Sequence, residues 1–223
     1  MIQKIMLGIA ALMLLCSTIC YAEDLSPYLD GRAVNVIETD NSIDIYARYS
    51  MEGKAAEYVI PRTQITYEKA FPRAIKECWE GEYDGKPVNV HLERLAADSN
   101  QKKISVQFNI VHDTSCYSYA LVGDDLREIH IYSGDGRSVS SVFYSYKEYM
   151  ATAAHEFGHC IGLGDCYNDE KVSDWLVSPM NDSFHTMQAQ AVDYYILLTH
   201  RTWENNGVFI YSQDSDIEQF NSK

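Results

Sequence analysis

Basic side chains are scarce in this chain. Its 223 residues carry 18 Lys and Arg against 32 Asp and Glu, a formal net charge of −14. So acidic a surface repels phosphate backbones and anionic lipid, so neither nucleic acid nor a membrane surface is expected as a partner. The charge itself helps solubility and says nothing of fold. Long apolar runs are also missing, apart from one at the N-terminus. No later segment approaches the roughly 20 apolar residues that a membrane-spanning helix needs. There is no internal repeat and no Pro-rich or Gly/Ser-rich linker, which argues for one domain. Among the four cysteines beyond that N-terminal run, Cys78, Cys116, Cys160 and Cys166, close C-x₂₋₄-C pairs are absent, which sets aside a four-cysteine zinc site.

The apolar run that is present has a secretory pattern. Lys4 provides a positive start, residues 5–19 are almost all apolar, and Cys20-Tyr21-Ala22 ends in small residues at −3 and −1. Residues 1–22 therefore read as a signal peptide cleaved before Glu23, and the mature chain is expected to be secreted, periplasmic or extracellular. After cleavage no membrane association is expected, and the mature chain is read as a monomer. It would have 17 basic and 32 acidic residues, a net charge of −15. Four cysteines would remain: Cys78, Cys116, Cys160 and Cys166. An even number in an exported chain leads to the expectation of two disulfides, with three connectivities open.

Residues 23–41 are polar and turn-rich and read as a loose N-terminal arm. Apolar alternation at Ile43, Ile45, Ala47 and Tyr49 predicts a strand over 42–49, and 56–60 reads as a second. Helical spacing of Ala70, Phe71, Ala74, Ile75 and Cys78 predicts a helix over 67–79, with Pro72 as a marker of its true start. Glu80-Gly81 and Asp84-Gly85 are turn signals. Strands are predicted over 87–95, 103–112 and 128–132, with an edge strand over 119–122. A helix over 146–161 has Met150, Ala153, Phe157 and Cys160 as its apolar stripe. A last helix over 187–203 offers Ala191, Tyr194, Tyr195, Leu197 and Leu198 for packing. The acidic stretch 204–223 reads as a loose tail. The order of strands and helices describes an α+β domain over 42–203.

The stretch with chemical content is His155-Glu156-Phe157-Gly158-His159-Cys160-Ile161-Gly162-Leu163-Gly164-Asp165. Four residues turn a helix by about 400°, so His155 and His159 project to one side, one turn apart. Two ring nitrogens can then meet one ion at about 2.0–2.1 Å. Glu156 lies beside them, where it could act on a metal-bound water. A third ligand needs the chain to turn, and Gly162 tolerates the positive φ that such a turn uses. Asp165 follows three residues later, and a carboxylate suits zinc. His185 and a Cys166 thiolate are rival third ligands. His91, His112, His130 and His200 have no motif around them and read as strand or surface residues.

This segment resembles the extended zinc-binding motif of the metzincin metallopeptidases, HExxHxxGxxH, in the form with Asp as third ligand found in snapalysin-like enzymes. Ser178-Pro179-Met180-Asn181 is similar to the Met-turn of that family and falls 15 residues after Asp165. The resemblance implies a mixed twisted sheet, an active-site helix, a Met-turn and a C-terminal helix. It implies one catalytic Zn²⁺ held by His155, His159 and Asp165, with Glu156 as general base in peptide-bond hydrolysis. The expected substrate is a protein or peptide. Asp182 stands where several metzincins carry a tyrosine two residues after the methionine. Rival readings are a dedicated toxin or effector peptidase with one protein target, a non-catalytic exported zinc-binding domain, and a structural zinc protein whose fourth position is filled by protein.

Overall fold

Residues 24–40, which read as a loose arm, are folded in the computed structural model. The structure describes residues 24–111, 118–123, 126–134, 146–165, 178–180 and 187–199. A short helix, α1 (Ser26–Leu29), is followed by strand β1 (Val34–Glu38). Leu25 and Leu29 are fully buried and pack with Tyr46 and Ile37. Four residues cannot hold a helix by themselves, so α1 depends on this cover. Its anchor is polar. The buried Arg48 guanidinium donates to Glu93 at 2.7 Å and to Ser26 Oγ at 2.5 Å, and it pairs with Asp24 at 3.4 Å. Tyr28 stacks on Tyr46, and Tyr46 on His91.

Strand β2 (Ile43–Glu52) runs longer than its alternation suggests. The expected strand over 56–60 is instead a 3₁₀ turn, Lys54–Glu57, followed by a single bridge between Val59 and Thr66. Consecutive Ala55 and Ala56 are both buried, which an alternating half-buried strand cannot achieve. Helix α2 (Tyr67–Trp79) has the expected bounds. It starts at Thr66, whose hydroxyl accepts from the Lys69 N–H, and not at Pro72. Pro72 lies inside the helix on a half-buried side, where it removes one hydrogen bond to the Glu68 carbonyl.

Strands β3 (Gly81–Tyr83) and β4 (Lys86–Arg94) form a hairpin across Asp84-Gly85. Strands β5 (Ile104–Val111), β6 (Tyr119–Val122) and β7 (Arg127–Gly134) complete a seven-stranded mixed sheet of order β3-β4-β2-β5-β7-β6, with β1 beside β2. The central β4, β2, β5 and β7 are parallel, whereas β1, β3 and β6 pair antiparallel. The expected edge position of β6 is found.

The chain is thus α+β. Ile43, Ile45, Ala47, Tyr49, Val88, Val90, Ile104, Val106, Ile129 and Ile131 are buried on one sheet face. Against them pack the stripe of α2 and that of helix α3 (Tyr146–Cys160), including Met150, Ala153, Phe157 and Cys160. Each large apolar side chain so buried stabilises by about 1.5–3 kcal/mol. Helix α4 (Ala191–Thr199) begins four residues later than expected, because Asp193 reaches back to the Gln190 N–H at 2.7 Å and sets the start there. Ala191, expected to pack, is exposed in the first turn, while Tyr194, Tyr195 and Leu197 are buried. No helix among the described residues is long and apolar enough to cross a membrane. Residues 1–22, expected to be a signal peptide, and residues 204–223, expected to be a loose tail, lie outside the described residues.

Candidate metal centre

Helix α3 is buried nearly all round and carries His155, Glu156 and His159 in its last two turns. One ligand atom from each lies within 4.8 Å of the other two, so the group could hold a metal ion. The two imidazoles stand at right angles, with centroids 4.9 Å apart. Each ring is held by a backbone carbonyl. His155 Nδ1 is 2.9 Å from the Pro179 oxygen, and His159 Nδ1 is 2.8 Å from the Leu163 oxygen. A carbonyl only accepts, so both Nδ1 atoms donate, and in the neutral rings both Nε2 lone pairs face the same point.

A carboxylate faces that point as well. Asp165 Oδ1 is 3.2 Å from His155 Nε2 and 3.3 Å from His159 Nε2. It is buried and has no hydrogen-bond partner among the described residues. With both imidazoles neutral, three electron-rich atoms converge with no donor between them. Tetrahedral ligands at 2.0–2.1 Å from one ion stand about 3.3–3.4 Å apart, so this spacing fits a shared zinc. Two carboxylates, Glu156 and Asp165, thus reach the pair of imidazoles; only Asp165 has this contact with both rings.

The electrostatics agree with that reading. Burial opposes charge on His155, but the Asp165 carboxylate, Glu156 and the Pro179 carbonyl outweigh it and raise its pKa. Burial would raise Asp165, yet the two imidazoles hold it well below the usual carboxylate range. Glu156 is raised by burial, against the pull of both histidines. Positive charge is favoured at the point where the three atoms meet.

The turn after α3 explains how Asp165 returns. Gly162 has φ +108°, the Gly162 N–H bonds the His159 carbonyl at 2.9 Å, and the Leu163 N–H bonds the Gly158 carbonyl at 3.0 Å. This is a Schellman ending, with glycine at the position of positive φ. It aims the Leu163 carbonyl at His159 and carries Asp165 to the front of the helix. Arg127 on β7 donates to the Cys160 carbonyl at 3.0 Å and holds the end of α3 to the sheet.

Compared with family models, curated proteins and solved structures, the chain finds no match in any of the three.

Met180 is fully buried against the bare backbone of Gly158, the residue before His159. A Cβ on Gly158 would stand 2.3 Å from Met180 Sδ and 2.9 Å from Trp79 Cζ2. The Trp79 indole N–H donates to the Ala154 carbonyl at 3.0 Å, tying α2 to the same stretch of α3. Ser178 and Asp193, both fully buried, are bonded at 2.6 Å. Gly158, Trp79 and Asp193 were not singled out from sequence. A glycine inside a helical pattern is a known sign of close packing, and an acidic residue within an apolar helix is a sign of a buried partner.

The other sequence candidates separate. His91 pairs with Asp44 at 2.9 Å and His130 with Glu128 at 2.9 Å, both on strands away from the imidazole pair. His112, Cys166, Asn181, Asp182, His185 and His200 lie outside the described residues. Cys78 and Cys160 are buried free thiols, so no disulfide is present among the described residues. Burial pushes Cys160 up to about 12 and Cys78 well above the ordinary thiol range. Both sit on the apolar stripes of their helices, where a small hydrophobe is needed. Cys116, like Cys166, is outside the described residues.

Proposed function

We propose that this chain is an exported zinc-dependent endopeptidase of the metzincin type, with Asp165 as third metal ligand. The supporting observation is the approach of Asp165 Oδ1 to both His Nε2 atoms, with each Nδ1 held by a carbonyl. The helix ending at Gly162, and Met180 packed against Gly158 between the two histidines in sequence, support the resemblance to the metzincin motif and Met-turn.

In this reading His155 and His159 bind through Nε2 and Asp165 through Oδ1. Zinc held by three protein ligands supplies a Lewis acid with a position open to water. The chain's own part in the reaction falls to Glu156. Its carboxylate orients the attacking water, takes a proton from it, and passes that proton to the leaving amine nitrogen. Burial brings the Glu156 pKa upward, toward the range where one group can both accept and release a proton. The Pro179 and Leu163 carbonyls keep both imidazoles in the tautomer that binds. The substrate is a protein or peptide; nucleic acid is disfavoured by the acidic composition.

The test is zinc content and casein cleavage on the parent and on Glu156→Gln. One zinc in each, with cleavage by the parent alone, is the expected result. Equal cleavage by both removes Glu156 from the mechanism, and an absence of zinc from a folded parent removes the metal reading.

A further inference from the structure

Asp193 is fully buried, although it is an acidic residue within an apolar helix and lies outside the metal cluster. Its two oxygens have separate tasks. Oδ2 accepts from the Gln190 N–H at 2.7 Å and closes the start of α4. Oδ1 accepts from Ser178 Oγ at 2.6 Å. The same Ser178 Oγ accepts from the Met180 N–H at 3.0 Å. Between Ser178 and Met180 stands Pro179, whose carbonyl accepts from His155 Nδ1 at 2.9 Å. An unbroken line of hydrogen bonds and one short turn therefore joins Asp193 to the imidazole of His155.

The frame at the far end of this line is rigid. The Tyr194 hydroxyl donates to the Trp79 carbonyl at 3.2 Å, and the Ala189 N–H donates to the Cys78 carbonyl at 2.7 Å. Trp79 in turn donates to the Ala154 carbonyl on α3, one residue before His155. The turn thus approaches α3 from a helix that is itself fixed to α2, and α2 is fixed to α3. Met180, on the same turn, fills the space over Gly158. Without Ser178 and Asp193, nothing else described on residues 178–180 bonds this turn to α4. Helix capping alone would need only one carboxylate oxygen and would leave the second in water. Here the second oxygen is buried and spent on the turn that orients a ligand.

We infer that Asp193 is a positioning residue for the metal ligand His155, acting through Ser178 and the Pro179 carbonyl. This rests on the metal-site reading proposed above. The carboxylate sets where the Pro179 oxygen sits. That oxygen sets the tautomer and ring angle of His155, and so the direction of its Nε2 lone pair. Losing a partner of this kind typically weakens metal affinity about 10- to 100-fold.

The experiment uses the full mature chain and three variants: Asp193→Asn, Ser178→Ala and the double variant. Zinc affinity is measured by competition with a chromophoric chelator, and the visible spectrum is recorded with Co²⁺ in place of zinc. Folding is checked by far-ultraviolet circular dichroism. The expected result is zinc affinity reduced by about tenfold or more in each single variant. The cobalt bands should shift at full occupancy, which a purely structural loss would not cause. The double variant should bind no worse than the weaker single, since both act on one line. If Asp193→Asn does not fold, Ser178→Ala carries the same expectation. Parent-like zinc affinity and cobalt bands in a folded variant overturn the positioning role while leaving the metal site intact. A folded parent that binds no zinc overturns the metal reading, and the role given to Asp193 with it.

Discussion

At the scale of single residues, the proposed function separates holding from reacting. Asp165 Oδ1 touches both imidazoles, so Asp165→Ala should weaken zinc binding by more than the 10- to 100-fold typical of an outer partner. Chelator competition measures this, and unchanged affinity would strike Asp165 from the ligand set. Glu156→Gln should keep its zinc and lose about 10²–10⁴-fold in turnover, the usual worth of a positioned acid–base group. Gly158 is the residue where packing and chemistry meet. Its missing Cβ makes room for Met180 and for the rigid Trp79 indole. Gly158→Ala should cost about 1–3 kcal/mol through overpacking, read as a lower urea midpoint. A variant as stable as the parent would mean that Met180 moves aside freely. The HExxH spacing, the glycine turn and the acid three residues beyond were legible in the sequence. The need for glycine at 158 was not, because the atoms it avoids come from residues 79 and 180.

At the scale of elements, α2 and α3 form the support of the site, and their link is polar as well as apolar. Trp79→Phe keeps most of the ring volume but removes the N–H that meets the Ala154 carbonyl. It should destabilise by about 1–3 kcal/mol, from a lost buried hydrogen bond and a small void. Thermal unfolding followed by circular dichroism checks this; a loss under about 0.5 kcal/mol would show that the indole bond contributes little. The bounds of α2, β6 and α3 were legible because their apolar periods are long or their turns well marked. The start of α4 was not, since its apolar run continues past the point where Asp193 closes it. Residues 56–60 also misled, because five apolar-rich residues are too few to distinguish a strand from a buried turn.

At the scale of the whole molecule, stability is expected to depend on metal and on acid. If zinc binds only the folded chain, free zinc at 100 times its Kd adds about 2.7 kcal/mol, so a chelator should lower Tm. A Tm indifferent to chelator and zinc would contradict a bound metal. The acid response has a separate source. Asp44 is raised by burial, but bonds from Ser42, His91 and Asn89 outweigh this and lower its pKa in the folded state. A lowered folded pKa means that its contribution is complete above the unfolded value, about 3.9. It is lost as pH falls from there through the lower folded value. Asp44→Asn should therefore be less stable than the parent at pH 6, and the gap should narrow below pH 4 in urea titrations. A gap independent of pH would assign the loss to packing instead.

The sequence by itself determined the α+β class, the strands of the sheet's parallel part and their buried faces, and the His155, Glu156 and His159 group that could hold a metal ion. These are local matters of period, spacing and residue chemistry. Only the tertiary structure decided that residues 24–38 are folded onto the sheet. Their apolar content is Leu25, Leu29 and a few β1 positions, too little to read without the Arg48 and Tyr46 that receive them. It also decided that Cys78 and Cys160 face the core as free thiols, which an even cysteine count does not reveal. The line from Asp193 to His155 joins residues 38 positions apart through a turn at 178–180. Such a contact has no local signature, because it exists only once α4 and α3 are packed on the same helix, α2.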